Sequence, residues 1–486
     1  MVESGRASEW RKRIGFGAGD FAQNLVFSAV GTYLLFFYTD VIGLAPSSAA
    51  TMFLFVQFVD MLWNPLAGVF IDRRHPPWGK YRSYLILAGI PLAVFSVLCF
   101  ANPFGGAWKM LYACAAYAGF TLLFTLANVA YGALSASLTR DAEEITVLTA
   151  VRIFLANAGC LAAMAGVPIL LAALGGADGG GTPSLLGADG DGTPSLPWRM
   201  ALFMACGMLP SFVFMPLLPG LRRLFGKKGL FYVFASVAVL GMAALYVLSR
   251  AGGSRSCASA WIYAAQFVKA TGIIVSTGYM WAFVPEVVSY SERMTGRRVS
   301  GIVNGVVGVF FKAGMALGKA AAGLVLAGTG YQADRGGTRS CASSDVLPVE
   351  PRAWLWTMVA VAVVAVALLV FSFMQTKERV VMDASGAAQV KAGDLWREFR
   401  RNAPLRLLAL FFVAAFAMMS VGNAAGAYFM NGLEMQTPLA QEGIRWLVCV
   451  VPALFLAVAA FALARYPLDD AAVERLNREI AARSAS

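Results

Sequence analysis

The sequence predicts an all-α membrane protein with twelve spanning helices, and three observations lead to that prediction. Hydrophobic residues make up 59% of the 486 residues and charged residues only 14%, which is more apolar side chain than a soluble domain of this size can bury. The apolar residues form continuous runs, and a bilayer core of about 30 Å needs roughly 20 such residues per helix. The runs do not alternate with polar residues, which disfavours a membrane β-barrel.

Twelve apolar runs follow one another along the chain. Several are longer than one span and imply tilt or helical extension. The first begins after Arg11, Lys12 and Arg13 and is too long for the core of a cleaved signal peptide. The predicted spans are 15–44, 47–72, 83–101, 107–138, 146–174, 199–219, 229–249, 260–291, 300–329, 352–374, 404–432 and 444–465.

The loops between the runs differ in charge. Basic residues gather in every second loop, among them 73–82, 222–228, 293–298 and 377–401. Cytoplasmic loops of membrane proteins carry this excess, so we expect both termini in the cytoplasm and the protein in the plasma (inner) membrane. The net charge of +12 is then a topology signal and does not indicate nucleic-acid binding.

Two loops on the predicted outer side have low complexity. Residues 175–197 contain a tandem near-repeat of "GADG(D/G)GTPSL", and 332–351 are similarly rich in Gly and Ser, so we expect both to be flexible. A longer inner loop, 375–403, carries mixed charge.

Cys257 and Cys341 lie in outer loops with near-identical surroundings, so either a disulfide or two free thiols fits them. Four further cysteines lie in apolar runs and are expected to be small core residues: Cys114, Cys160, Cys206 and Cys449.

Several ionisable residues lie inside the predicted spans. Each costs at least ~2.5–3.5 kcal/mol at bilayer depth and normally needs a partner, a cavity or an ion. We expect functional roles for Asp20, Asp60 and Lys312. For four others, a structural ion pair and a functional role are equally open: Arg152, Lys269, Lys319 and Glu286.

Asp60 is the most informative of these charges. Asn64 follows it four residues later, so both side chains lie on one face of a helix. A carboxylate with amide and hydroxyl oxygens suits Na⁺, or a proton held by the carboxylate alone. Lys312 adds a cation in "GVFFKAGMALGKAAAG", among small residues that let helices approach closely.

The same stretches resemble the glycoside–pentoside–hexuronide:cation symporters, the melibiose permease group of the major facilitator superfamily. "GFGAGDFAQNLVFSAVGTYLLFFYTDVIGL" resembles the first helix of that family, where Asp20 matches a sugar-binding acid. "FVDMLWNPLAGVFIDRRHPPWGKYR" resembles the second helix, where Asp60 matches one cation-site acid and Asn64 stands in place of another. The resemblance covers nearly the whole chain.

The fourth, fifth and eleventh helices of the family supply the remaining matches. In "FTLANVAYGALSASLTRDAEE", Thr125 matches a cation-site hydroxyl, Asn128 replaces a second sugar-binding acid, and Gly132 replaces the Trp on which sugar stacks. Arg152 matches the fifth-helix Arg, and Lys312 in "GRRVSGIVNGVVGVFFKAG" matches the eleventh-helix Lys. The resemblance thus implies a cation site at Asp60, Asn64 and Thr125, which would be a metal site if Na⁺ is used. It implies a solute site at Asp20, Asn128, Arg152 and Lys312.

The order of the segments departs from the family. Residues 1–174 resemble helices 1–5, 198–331 resemble helices 8–11 of the C-terminal bundle, and 352–432 resemble helices 6–7. Residues 433–486 supply the last helix and a cytoplasmic tail, while 175–197 and 332–351 are the joining loops. Each moved block has an even number of spans, so no helix is inverted, and we expect the tenth run to pack beside the first five.

The resemblance implies two six-helix bundles around a central cavity and symport of a sugar or glycoside with H⁺ or Na⁺ by alternating access. The alternative is a cation-coupled carrier of a lysolipid or another amphiphile, because the helix-four Trp is missing and the chain is rich in Phe. Enzyme motifs are absent from the sequence, so neither an enzyme nor a cofactor is expected. The expected partners are a small solute and membrane lipid, with the chain acting as a monomer.

Overall fold

The computed structural model describes most of the chain. The described residues are 2–73, 76, 78–79, 81–106, 108–138, 142–175, 196–251, 260–295, 300–331, 350–376, 399–430, 436–467, 472, 475 and 478–479. Cys257 and Cys341 lie outside them, as do nearly all of the two low-complexity loops and most of 375–403. The proposed disulfide and the expected flexibility of these loops therefore stay predictions.

The described chain is built from helices, as predicted. The first half contains α1 (Val2–Phe36, continued by a π-helical turn at Phe37–Val41), α2 (Pro46–Arg73), α3 (Ser83–Leu87), α4 (Gly89–Cys99), α5 (Trp108–Leu138) and α6 (Ala142–Gly175). The second half contains α7 (Leu196–Ala251), α8 (Ala260–Gly278), α9 (Phe283–Thr295), α10 (Ser300–Gly328), α11 (Pro351–Gln375), α12 (Ala403–Met430), α13 (Pro438–Arg445) and α14 (Val451–Ala464).

Each of the twelve predicted spans falls on helical residues of the described chain. Among the described residues, nine helices are long and apolar enough to cross a membrane, and α3 with α4 forms a shorter apolar segment over Ser83–Cys99. One of the nine, α7, contains both the sixth and the seventh predicted runs. Gly226 has a positive φ of 67°, and the rings of Phe214 and Phe234 meet at 6.5 Å. Rings twenty positions apart can touch only if the chain reverses, so α7 is a helical hairpin folded at Gly226.

Helix α11, the tenth predicted run, lies beside helices of the first five runs. It packs against α1, α4 and α6. Its Trp354 is fully buried and stacks on Phe100. Near the other end of α11, Arg82 donates a hydrogen bond of 2.7 Å to the carbonyl of Phe373. The expected position of this run is therefore observed, whereas the identity of 352–432 with helices 6–7 of the family stays a prediction.

The other helices of the second half pack mainly on one another. The strongest pairings are α7 with α8, α10 with α12, and α12 with α14. Gly314 and Gly318 allow α10 and α12 to approach closely, because a Cβ there would lie 2.6 and 2.4 Å from the carbonyl oxygens of Val413 and Ala417. This contact fixes α10, which also packs against α2 and so faces the first group of helices. The predicted small-residue packing around Lys312 is confirmed.

Candidate functional site

A cavity of about 940 Å³ lies between α1, α2, α5 and α6 on one side and α10 on the other. Six of the seven residues predicted for the site line it, namely Asp60, Asn64, Thr125, Asn128, Arg152 and Lys312. The seventh, Asp20, lies behind the wall, where it contacts Arg152. Residues as far apart in the chain as 60 and 312 therefore meet at one site.

Asp60 is the centre of a buried polar cluster. The Nζ of Lys312 lies 2.9 Å from Oδ1 of Asp60, and Thr125 donates a hydrogen bond of 2.6 Å to the same oxygen. Lys312 also lies 2.6 Å from Oγ1 of Thr125 and 3.3 Å from the carbonyl oxygen of Asp60. Gln57, one turn earlier, donates to the other carboxylate oxygen at 3.3 Å. The ammonium group thus occupies the centre of three oxygens, where a coordinated cation would also fit.

Lys312 contacts two residues that the resemblance assigns to the cation site. The resemblance assigns Lys312 to the solute site and assigns Asp60 and Thr125 to the cation site. In the structure Lys312 contacts both of the latter, so it lies at the boundary of the two predicted sites. Asn64 also lines the cavity, with its amide directed at Gly308 of α10, where a Cβ would approach Nδ2 to 2.9 Å.

A second ion pair joins α1 to α6. Nε of Arg152 lies 2.5 Å from Oδ2 of Asp20, and the guanidinium stands 5.0 Å from the centre of the Tyr131 ring. The Tyr131 hydroxyl in turn donates to the carbonyl of Phe16. Asp20 is buried and Arg152 is only half-buried, so the guanidinium is the member of the pair that reaches the cavity.

Asn128 and Gly132 form an open part of the wall. Both are exposed on α5 and line the cavity, and a Cβ at Gly132 would meet no atom within 4 Å. The cavity therefore has room beside Gly132 for a larger side chain or for part of a solute.

Lys319 belongs to the cavity although it was not among the predicted site residues. Its side chain is buried, lines the cavity and donates a hydrogen bond of 2.7 Å to the hydroxyl of Tyr117. Its ammonium also lies 5.3 Å from the centre of the Phe53 ring, at the distance of a cation–π contact. Lys319 follows Lys312 by seven residues, two helical turns, and this spacing places both on one helix face. That signal was available in the sequence.

Glu286 lies outside the cavity. It is buried and pairs with Lys227 of α7 at 2.7 Å. Of the two roles left open for Glu286, a structural ion pair and a functional role, the structure shows the ion pair. Lys269 lies in a different pocket, described below.

At one end of the bundles a network of hydroxyl groups closes the interface. Asp40, at the end of α1, accepts a hydrogen bond of 2.6 Å from Tyr331, which follows α10. Thr39 bonds the other oxygen of Asp40 at 2.6 Å and lies 2.8 Å from the hydroxyl of Tyr428 on α12. All four residues are buried. This network, the Asp40 network, ties α1 to the helices of the second group.

A surface ion pair stands near the start of α6. Arg13 of α1 lies 2.5 Å from Glu144, and the two are joined by two hydrogen bonds. The hydrogen bonds from Arg13 are the largest cause of a lowered pKa of the Glu144 carboxyl. The pair holds the first turn of α6, which carries Arg152, beside α1, which carries Asp20.

Known proteins resemble this chain over most of its length. The model of a family described as MFS/sugar transport protein matches residues 15–191, 197–347 and 343–434. An uncharacterized symporter of Bacillus subtilis (strain 168), YnaJ, is 30% identical over 434 residues, covering 75% of this chain and 90% of the relative. The isoprimeverose transporter of Lactiplantibacillus pentosus is 26% identical over 445 residues, with coverage of 77% and 91%.

A shorter match is more similar in sequence. The putative glycoside/cation symporter YagG of Escherichia coli (strain K12) is 39% identical over 153 residues, which cover 31% of this chain and 33% of the relative. The family match includes every helix that lines the cavity. The protein is an integral membrane transporter of small solutes and not an enzyme, and it belongs to the MFS/sugar transport family of the major facilitator superfamily, within the melibiose permease-like group.

Proposed function

We propose that this protein couples the uptake of a sugar or glycoside to a cation, by alternating access of two bundles around the central cavity. The observation that carries the proposal is the cluster of Asp60, Thr125 and Lys312. It places a carboxylate that can take up a cation next to a lysine that can contact a solute. We further propose that the protein lies in the plasma membrane with both termini in the cytoplasm, as the basic loops predict.

Lys312 supplies a physical basis for coupling. While it pairs with Asp60, the carboxylate is neutralised from within the protein. A solute whose oxygens draw the ammonium away would leave Asp60 as a buried, uncompensated charge, which is costly unless a cation or proton replaces the lysine. Solute and cation therefore stabilise each other's binding, and such coupling is reciprocal.

We propose that a proton serves at least as well as Na⁺. Asp60 provides the one carboxylate of the proposed cation site, with Thr125 and Asn64 as neutral oxygen donors. A proton needs one carboxylate, whereas Na⁺ must exchange its water for several oxygens and gains from more negative charge.

The rest of the cavity suits a polyhydroxylated solute. Asn128, Arg152 and Lys319 are hydrogen-bond donors, and Trp281 and Phe124 supply apolar surface. The volume of about 940 Å³ falls within the roughly 300–1,000 Å³ of small-molecule sites. The names of two relatives, an isoprimeverose transporter and a putative glycoside/cation symporter, support a glycoside.

An amphiphile remains the second candidate. The open space beside Gly132 and the rings of Phe27, Phe120 and Phe124 along the cavity would accept an acyl chain. A lysolipid would leave most of the polar donors without partners, so the sugar is favoured.

We also propose that the helix order is transposed relative to the family. The family match is divided between 191 and 197 and overlaps at 343–347, and both places fall within or beside the low-complexity loops 175–197 and 332–351. A transposition would divide a match at its joins. The packing of α11 against α1, α4 and α6 further supports it.

Uptake by intact cells tests the proposed function. Cells expressing the full chain would be given radiolabelled glycosides or a labelled lysolipid, with and without an uncoupler of the proton gradient. We expect glycoside uptake that falls to the level of the Asp60→Asn variant when the uncoupler is added. Lysolipid uptake without glycoside uptake would support the second candidate. Glycoside uptake that neither the uncoupler nor the Asp60→Asn substitution reduces would contradict cation coupling.

A further inference from the structure

Lys269 of α8 lies in a second pocket that shares no residue with the central cavity. The pocket has a volume of about 120 Å³ and is formed by α6, α7, α8, α12 and the start of α14. Most of its wall is apolar, including Met164, Phe203 and Met418, and its polar groups belong to Lys269, Gln266 and Asn423. Small residues leave this space open, since a Cβ at Gly422 would meet no atom within 4 Å.

The surrounding helices provide no counter-charge for this lysine. Lys269 is 6% exposed, and no carboxylate of a described residue lies within 4 Å of its ammonium. The sequences of α7, α8, α12 and α14 contain neither aspartate nor glutamate. The acids of α6, Glu143 and Glu144, lie about 20 positions before its pocket residue Met164. Glu442, on α13, is engaged by Tyr246 and Arg445.

Gln266, one turn from Lys269 on the same face of α8, is a second buried polar side chain that lacks a partner in the described part of the chain. Its side chain is 7% exposed, and its Oε1 has no hydrogen-bond partner among the described residues. A buried polar atom without a partner destabilises the folded protein, and a buried charge without a partner does so more strongly. The pocket therefore presents one cation that needs an anion and one acceptor that needs a donor.

We propose that this pocket binds a small hydroxycarboxylate, whose carboxylate pairs with Lys269 and whose hydroxyl donates to Gln266. The volume of about 120 Å³ is far below the roughly 940 Å³ of the central cavity and suits a small solute such as a three-carbon acid. The apolar wall would contact the carbon skeleton. Asn423 and Met419, which are exposed, form the entrance. The site is separate from the solute and cation sites proposed above.

Thermal unfolding of the purified full chain in detergent tests the proposal, with lactate as the probe. We expect lactate to raise Tm saturably, propionate to act more weakly because it lacks the hydroxyl, and uncharged propane-1,2-diol to have no effect. Sodium chloride at the same ionic strength is the control for screening. Lys269→Met should weaken lactate binding about 10- to 150-fold, the equivalent of losing a hydrogen bond to a charged group. The matched variant Lys109→Met, at the start of α5, should bind like the wild type.

A second variant keeps the test valid if Lys269→Met does not fold. Gly422→Leu places a side chain in the pocket and should abolish the lactate effect while leaving the lysine in place. Three results would overturn the proposal. Lactate and chloride could raise Tm equally, or the effect of lactate could be unchanged in either pocket variant. Lactate could also leave Tm unchanged up to about 100 mM, which is 100-fold the Kd of a millimolar ligand. In the last case Lys269 is hydrated or neutral.

Discussion

Removing Lys312 should destabilise the protein because it leaves Asp60 buried without a counter-charge. At the observed 2.9 Å separation, the attraction between the two unit charges is about 6 kcal/mol at an effective dielectric constant of ~20. Desolvation offsets part of it, and the loss of one partner of a buried pair typically costs about 3–5 kcal/mol. Both side chains are almost fully buried, so we expect Lys312→Met and Asp60→Asn each to lose about that much.

The double variant distinguishes this explanation from general damage to the fold. Asp60→Asn with Lys312→Met removes both charges, so its stability should return to within about 1–2 kcal/mol of the wild type, which corresponds to a coupling energy of about 4–9 kcal/mol. The assay is unfolding of the purified variants in detergent, followed by tryptophan fluorescence at two pH values. Lys312→Met should regain stability at the lower pH, because protonation neutralises the unpaired Asp60.

Two outcomes would refute the reasoning. If the loss in the double variant equals the sum of the single losses, the two charges do not interact in the folded protein. If Lys312→Met is as stable as the wild type at both pH values, Asp60 is not a buried, ionised partner of this lysine.

Three further predictions concern ion choice, the closed end of the bundles and the solute wall. Asn64→Asp adds a second carboxylate and should raise the stimulation of uptake by Na⁺ at fixed pH at least several-fold; unchanged ion preference would remove Asn64 from the cation site. Tyr331→Phe breaks the hydrogen bond to Asp40, worth about 1.5–3 kcal/mol for a charged acceptor, and should open that end. An impermeant thiol reagent should then label a cysteine placed at the cavity residue Gly31 about 10-fold faster or more from the outside, whereas an unchanged rate would mean that the Asp40 network does not hold the closed state. Gly132→Trp fills open space beside the solute and should tighten binding of a glycoside by stacking; loss of binding with retained folding would indicate that the solute itself occupies this space.

Most of the fold follows from local patterns in the sequence. The apolar runs predict the spanning helices because a bilayer allows few alternatives for the backbone. The basic loop predicted at 222–228 separates the sixth and seventh runs, and the reversal at Gly226 lies within it. The break of the third run between α3 and α4, near Ala88, was not visible as a change in hydropathy.

The resemblance could bring Asp60 and Lys312 to the same cavity, but the contacts between them depend on helix packing. The sequence identified Asp60 and Lys312 as buried charges and the resemblance added Thr125, and these are three side chains of the cluster. Contact between Asp60 and Lys312 joins positions 252 residues apart, and it depends on how α10 packs against α2, which no local pattern records. Lys319 was seen as a buried charge, but its place in the cavity follows from the orientation of α10.

The claim that a cation drives solute movement through the Asp60 cluster is tested most directly by gradient-driven accumulation in proteoliposomes. Purified protein would be reconstituted and given a labelled glycoside under an imposed pH gradient, an imposed Na⁺ gradient or neither. The account predicts transient accumulation above the external concentration with the pH gradient, at least equal to that with Na⁺, and only equilibration in the Asp60→Asn variant. Equilibration without accumulation under every gradient, or accumulation that persists in Asp60→Asn, would contradict it.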